Sequence, residues 1–247
     1  MSEQATFWEH LDELRSVIIR SLLVVVAAAI AAFLLKDWLF GVVLAPRSSQ
    51  FVSYRLLGID ESFQLSLMNT ELTEQFMTHM RVSIYAGLLL ASPYVLYQLF
   101  GFIAPGLYKN ERQAATWIAV SAYAMFLLGT LVNYLLIFPL TIRFLGTYQV
   151  SPDVANMLTL QSYIDTFIGM SFVMGVVFEL PVVCAILGKM GLINGRMMAQ
   201  YRRHAVVAIL VVSAIITPTT DAFTLLVVAL PIWLLYEVSI WIVRIKN

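Results

Sequence analysis

Five apolar runs long enough to cross a bilayer recur along this chain, at 17–35, 82–100, 116–138, 167–187 and 222–243. A hydrocarbon core about 30 Å thick takes about 20 apolar helical residues to cross. Within it every backbone polar group must find its partner inside the fold, which leaves helices or a closed barrel. Runs of this length read as helices. A sixth run, 205–217, reaches only roughly 20 Å. The chain therefore reads as an all-α polytopic membrane protein, residues 1–247 forming one six-span domain whose fifth and sixth spans are short. Composition agrees, with 60% hydrophobic residues, 12% charged and a mean hydropathy of +0.84.

Six spans put both termini on one side. That side collects Arg15, Arg20, Lys109, Arg112, Lys189, Arg196, Arg202, Arg203, Arg244 and Lys246; the other holds Lys36, Arg47, Arg55, Arg81 and Arg143. The excess of basic residues predicts cytoplasmic termini. The outer segments 36–81 and 141–161 are then expected to form an extracytoplasmic cap. From Asn69 or Thr70 a helix is expected to start outside the membrane and run into the second span. Glu71 and Glu74 sit in its first turn, and Leu72, Phe76 and Met80 recur at spacing four. Pro152 and Asp153 suit a turn and helix start in the second segment. Pro218 and Asp221 are expected to stop the fifth span and cap the sixth.

A zero net charge gives no field pointing to nucleic acid. The single cysteine, Cys184, excludes an internal disulfide and a cysteine metal cluster. The acidic opening residues and the lack of a small-residue cleavage site after the apolar run do not suit a cleavable leader. The first span is expected to stay as an anchor. An Arg- and Ser-rich transit segment is missing, which points to a prokaryotic cell membrane. His10, His79 and His204 all lie outside mid-span positions, and no HExxH motif occurs. Ser92, Ser121 and Ser171 have no histidine to activate them. Neither an enzyme nor a cofactor is expected.

Two charged segments stand out against this apolar background, FWEHLDELR at 7–15 and GFIAPGLYKNER at 101–112. Both lie on the terminal side. Glu13 and Glu111 are carboxylates offered to something cationic at that face, which suits recognition of a basic peptide. The alternatives are an interfacial helix with solvated charges at Glu13, and pairing with Arg112 or lipid at Glu111. Pro105 and Gly106 are expected to break the second helix, and Tyr108 to place its ring at headgroup level. Glu179, deep in the fourth span, is costly there and must face a cavity, a partner or the bundle interior. Pro181 leaves the Val177 carbonyl without its usual donor and predicts a kink. Glu179 reads as a core residue shaping that kink, a polar contact for an incoming peptide or helix, or a proton-relay site. Glu237 is expected to pair with Arg244 or with another helix end.

Together these residues resemble the TatC family, the core subunit of the twin-arginine protein translocase. The pattern His10-Leu11-x-Glu13-Leu14-Arg15 carries the likeness, with Ala45-Pro46 and Ser92-Pro93 through Tyr97-Gln98. The stretch from Phe102 through Pro105 and Tyr108 to Glu111-Arg112 is the most specific. Phe178-Glu179-Leu-Pro181, Thr217-Pro218 and Asp221 complete it, in the family's order over nearly the whole chain. The resemblance implies six helices in a cupped bundle in a prokaryotic inner membrane. It implies binding of the twin-arginine signal peptides of folded cargo, and recruitment of single-span TatA- and TatB-type subunits for proton-gradient-driven export. Several copies are implied to assemble in the bilayer. Glu13 and Glu111 map onto the family's signal-binding carboxylates, with Leu11, Arg15, Phe102, Pro105, Tyr108 and Arg112 around them, and Glu179 onto its intramembrane polar contact. A guanidinium offers a planar fork of donors that a carboxylate accepts in two parallel bonds. The chain departs from the family early in the sixth span, where Thr224 stands in place of a polar amide. The competing reading is a proton-coupled small-molecule transporter using Glu179, although the chain has no visible repeat of the kind such transporters carry.

Overall fold

The computed structural model describes residues 7–59, 62–107, 112–149, 151, 156–217 and 221–246, without the side chains of 7–10, 100, 103–107, 112–117 and 245–246. The described chain is helical almost throughout. In order it forms α1 (Phe7–Leu34), α2 (Lys36–Val43), a 3₁₀ turn (Ala45–Arg47), α3 (Val52–Leu56), β1 (Leu67–Met68), α4 (Glu74–Leu107) and α5 (Arg112–Val132). A π-helical turn (Asn133–Ile137) leads into α6 (Phe138–Thr147), then β2 (Leu158–Thr159), α7 (Leu160–Val177), α8 (Leu180–Lys189), α9 (Gly195–Gln200), α10 (Arg202–Ile216) and α11 (Ala222–Lys246). Five stretches are long and apolar enough to cross a membrane: Leu11–Leu34, Glu74–Leu99, Ile118–Thr147, Leu160–Lys189 and Ala222–Arg244. At 15 residues α10 is shorter than these, as its short apolar run predicts. The sixth span, expected to be short, is not: α11 runs 25 residues through Pro231 and past Glu237. The chain divides into two compact units, residues 1–39 with 79–124 and residues 40–78 with 125–247.

In the first unit α1 and α4 run antiparallel. Gly87 meets the Ala29 backbone so closely that a Cβ would sit 2.5 Å from Ala29 N. Farther along, Phe33 stacks on His79 with ring centroids 3.9 Å apart. Small residues let membrane helices approach in this way. Pro93 lies within α4 and deprives the Leu89 carbonyl of its helical donor. The Ser92 hydroxyl supplies a substitute, donating to that carbonyl at 2.6 Å, so α4 continues.

Two sequence expectations for α4 need correction, where it starts and where it breaks. The helix begins at Glu74 rather than at Asn69 or Thr70, so Glu71 lies ahead of it. Leu72 is fully exposed, and Phe76 and Met80 are exposed too. Apolar spacing marks a face without saying whether core or lipid covers it. Pro105 does not break the helix, which runs on to Leu107. A proline removes only the bond of its own nitrogen, and here that loss falls in the final turn.

In the second unit the cap is tied together by side chains. The Tyr54 hydroxyl, buried, donates to the carbonyls of Pro46 and Pro139, both at 2.9 Å. Burial pushes its phenol well above the ordinary value, against the opposing charge of Arg143, so it remains a donor. A two-residue parallel pairing joins β1 to β2, Leu67 opposite Leu158. The third span outruns its apolar stretch and reaches Thr147, with Thr141 and Ile142 buried in the extension. Pro152 and Asp153 lie outside the described residues, as does Pro218. Asp221 caps α11 as expected, accepting from Thr224 N at 2.7 Å. Both α8 and α10 pack on α11. Glu237 on α11 pairs with Arg202 at the start of α10 at 2.7 Å, rather than with Arg244.

Candidate functional site

Glu13 lies on α1, exposed, between exposed Asp12 and half-buried Leu14. Leu11 and Arg15, one turn apart, are exposed beside it. Asp12, Arg15, Ser16, Ile19 and Arg20 line a shallow hollow of about 340 Å³ along the same helix. The antiparallel pairing of α1 with α4 runs from Phe33–His79 through Ala29–Gly87. The remaining candidates lie at the end of α4, on the link after it, or at the start of α5. Phe102, half-buried, occupies that end of α4, and Pro105 stands in its last turn. Tyr108 and Glu111 lie outside the described residues, and Arg112 opens α5 with its side chain undescribed. Of the two candidate carboxylates, Glu13 is thus the one whose position is defined.

Glu179 occupies the break between α7 and α8. The expected kink is present: α7 stops at Val177, and α8 begins at Leu180 with Pro181 in its first turn. The Glu179 nitrogen reaches only three residues back, to the Val176 carbonyl at 3.1 Å. Both carboxylate oxygens are buried and have no hydrogen-bond partner among the described residues. A charged group in that state is strongly disfavoured unless a donor or water arrives.

The neighbouring turns hold the break tightly against the third span. A Cβ on Gly129 would lie 2.5 Å from the Met174 carbonyl and 2.8 Å from Phe178. Two turns before Glu179, the buried Asn133 amide donates to the Ser171 hydroxyl at 2.8 Å. Asn133 opens the π-helical turn, a distortion that frequently marks functional positions. This pair escaped the sequence reading. Asn133 inside an apolar run was the available signal. Thr224, the polar residue early in α11, is fully buried and its hydroxyl has no hydrogen-bond partner among the described residues.

Glu74 is the other residue the sequence undervalued. Its carboxylate accepts from Thr70 N at 2.6 Å, Thr70 Oγ1 at 3.1 Å and Glu71 N at 3.2 Å. Its other oxygen accepts from Gln161 N at 2.8 Å, at the start of α7. One side chain thus satisfies nitrogens at the starts of two helices, a structural role rather than a binding one. Among the described residues no group of histidine, cysteine or carboxylate side chains could hold a metal ion.

The family model for the Sec-independent protein translocase protein TatC matches residues 9–231. The Sec-independent protein translocase protein TatC of Carboxydothermus hydrogenoformans is 32% identical over 240 residues, covering 97% of this chain and 93% of that one. Its counterpart in Deinococcus radiodurans is 33% identical, over 98% of this chain and 86% of its own. A chloroplastic relative from Pisum sativum is 30% identical over 99% of this chain. A crystal structure of the twin-arginine translocase receptor TatC, in DDM, superposes with a TM-score of 0.78 at 30% identity, covering 94% of this chain and 98% of that chain.

Proposed function

The chain belongs to the Sec-independent protein translocase TatC family, and we propose that it is the signal-reading receptor and scaffold of a twin-arginine translocase. Its relatives are translocase components, and it shares their multi-span helical build. In this reading α10 is the fifth of six spans, both termini are cytoplasmic and the membrane is a prokaryotic inner membrane. Glu13 and Glu111 read the two adjacent arginines of a signal peptide. Leu11, Arg15, Phe102, Pro105, Tyr108 and Arg112 form the surroundings. Single-span TatA- and TatB-type subunits assemble on several copies of the receptor, and the proton gradient drives export of folded cargo.

The observation that carries this reading is the exposure of Glu13 near the start of α1 in a chain of this family, with Glu111 on the link between α4 and α5. An exposed carboxylate can accept a guanidinium fork in two parallel bonds. Lysine cannot reproduce that bidentate geometry. Glu179, whose oxygens find no donor among the described residues, serves as the polar contact for an entering peptide or partner helix. The test is equilibrium binding of a fluorescent twin-arginine peptide to the purified chain, beside a twin-lysine peptide. A drop of about tenfold or more for the lysine peptide is expected from the loss of charge-assisted bonds. Equal affinity for the two peptides would remove the two-fork reading.

A further inference from the structure

Beyond the cargo-reading face, the cap contains a cleft of about 380 Å³ lined by Phe40, Gly41, Leu44, Arg47, Ser48 and Gln64. One wall is apolar and comes from the last turns of α2; the other is polar and comes from the segment after it. Among the described residues Arg47 is the only charged one lining the cleft. Its side chain makes no hydrogen bond or ion pair among the described residues. A half-buried guanidinium offers five donors.

The backbone around this arginine is held unusually firmly. Tyr134 donates to the Val42 carbonyl at 2.8 Å, Tyr163 to the Val43 carbonyl at 3.0 Å, and Tyr54 to the Pro46 carbonyl at 2.9 Å. Three phenols from separate parts of the unit thus clasp residues 42–46. The Arg47 carbonyl then accepts from Leu65 N at 3.1 Å, and Ser48 bridges to Gln64. Both walls of the cleft are fixed before any ligand arrives. The Ser48 oxygen accepts from Gln50 N at 3.3 Å, which leaves its hydroxyl proton to donate elsewhere. The cleft therefore presents a guanidinium, a hydroxyl and a side-chain amide beside an apolar wall, with no carboxylate among the described residues that line it.

Its depth relative to the bilayer follows from the chain. The first span ends at Leu34, and the cleft begins six residues later. Trp38, on α2, is 69% exposed, and tryptophan favours the headgroup level. A cleft at that level, half apolar and singly cationic, matches a glycerophospholipid: phosphodiester on Arg47, glycerol and upper acyl chain along Phe40, Gly41 and Leu44. We propose that this cleft is a phospholipid site, with Arg47 as its phosphate ligand and the tyrosine clasp as its support.

Native mass spectrometry of the full chain with added phosphatidylglycerol tests this. One lipid is expected to stay bound after detergent removal, and excess inorganic phosphate is expected to leave it in place. Arg47→Gln should lower the bound fraction about tenfold or more, and Arg47→Lys less. Gly41→Phe provides a variant that keeps the arginine. A Cβ at Gly41 meets nothing within 4 Å, so the ring enters the cleft without a clash at its root and should also expel the lipid. Arg55→Gln, an exposed arginine on α3, should bind as the parent does. Retention of the lipid by Arg47→Gln, or by Gly41→Phe, would overturn the assignment, and so would displacement by inorganic phosphate.

Discussion

Glu74 and Glu179 are both carboxylates withdrawn from solvent, and they are treated in opposite ways. Glu74 collects four donors, three of them backbone nitrogens. Glu179 has none among the described residues. The first is fully employed in joining the start of α4 to the start of α7. The second sits at a helix break, with its hydrogen-bonding capacity unspent. A buried polar group with every bond made is architecture, whereas one kept without bonds in a costly place is available for something that arrives.

Removing each side chain should separate these roles. Glu74→Ala strands three backbone donors and should destabilise the chain, read as a large fall in thermal stability in detergent. A small loss would mean that water replaces the carboxylate and the latch is dispensable. Glu179→Leu should do the reverse. Relieving an unsatisfied buried carboxylate is expected to leave stability unchanged or raise it by about 1–3 kcal/mol, while export of folded cargo from cells carrying the variant falls. Marked destabilisation with normal export would make Glu179 architecture as well. A smaller effect calibrates the scale: Asp221→Ala deletes the cap of α11 and should cost about 1 kcal/mol, measurable in the same melts. A cost comparable to that of Glu74→Ala would show that local capping, rather than the long-range tie, dominates.

The contrast also marks how far the sequence can be read. The spans were legible because lipid demands long apolar runs, and the break at Val177 followed from Pro181. Asp221 was readable because its partner, Thr224, lies three residues away. Glu74 was visible only as an acid near a helix start; the bond to Gln161 spans 87 positions and belongs to tertiary structure. The β1–β2 pairing is two residues long, too short to give a periodic signal. The tyrosine clasp on residues 42–46 joins distant segments in the same way. At the candidate site, the sequence marked Glu13, Glu111 and Glu179 as chemically out of place. The helix break and the absent donors around Glu179 came from the folded chain. Glu111 remains a proposal resting on its motif and on family membership.

The central claim is that each signal arginine is read by its own carboxylate, and a double-mutant cycle measures that directly. Peptides in which one arginine or the other is replaced by lysine are titrated against the parent chain, Glu13→Gln and Glu111→Gln. Each carboxylate should couple to one arginine by about 1 kcal/mol or more, so that the glutamine costs little once its own arginine is gone. Purely additive losses, with no coupling at either carboxylate, would contradict the account.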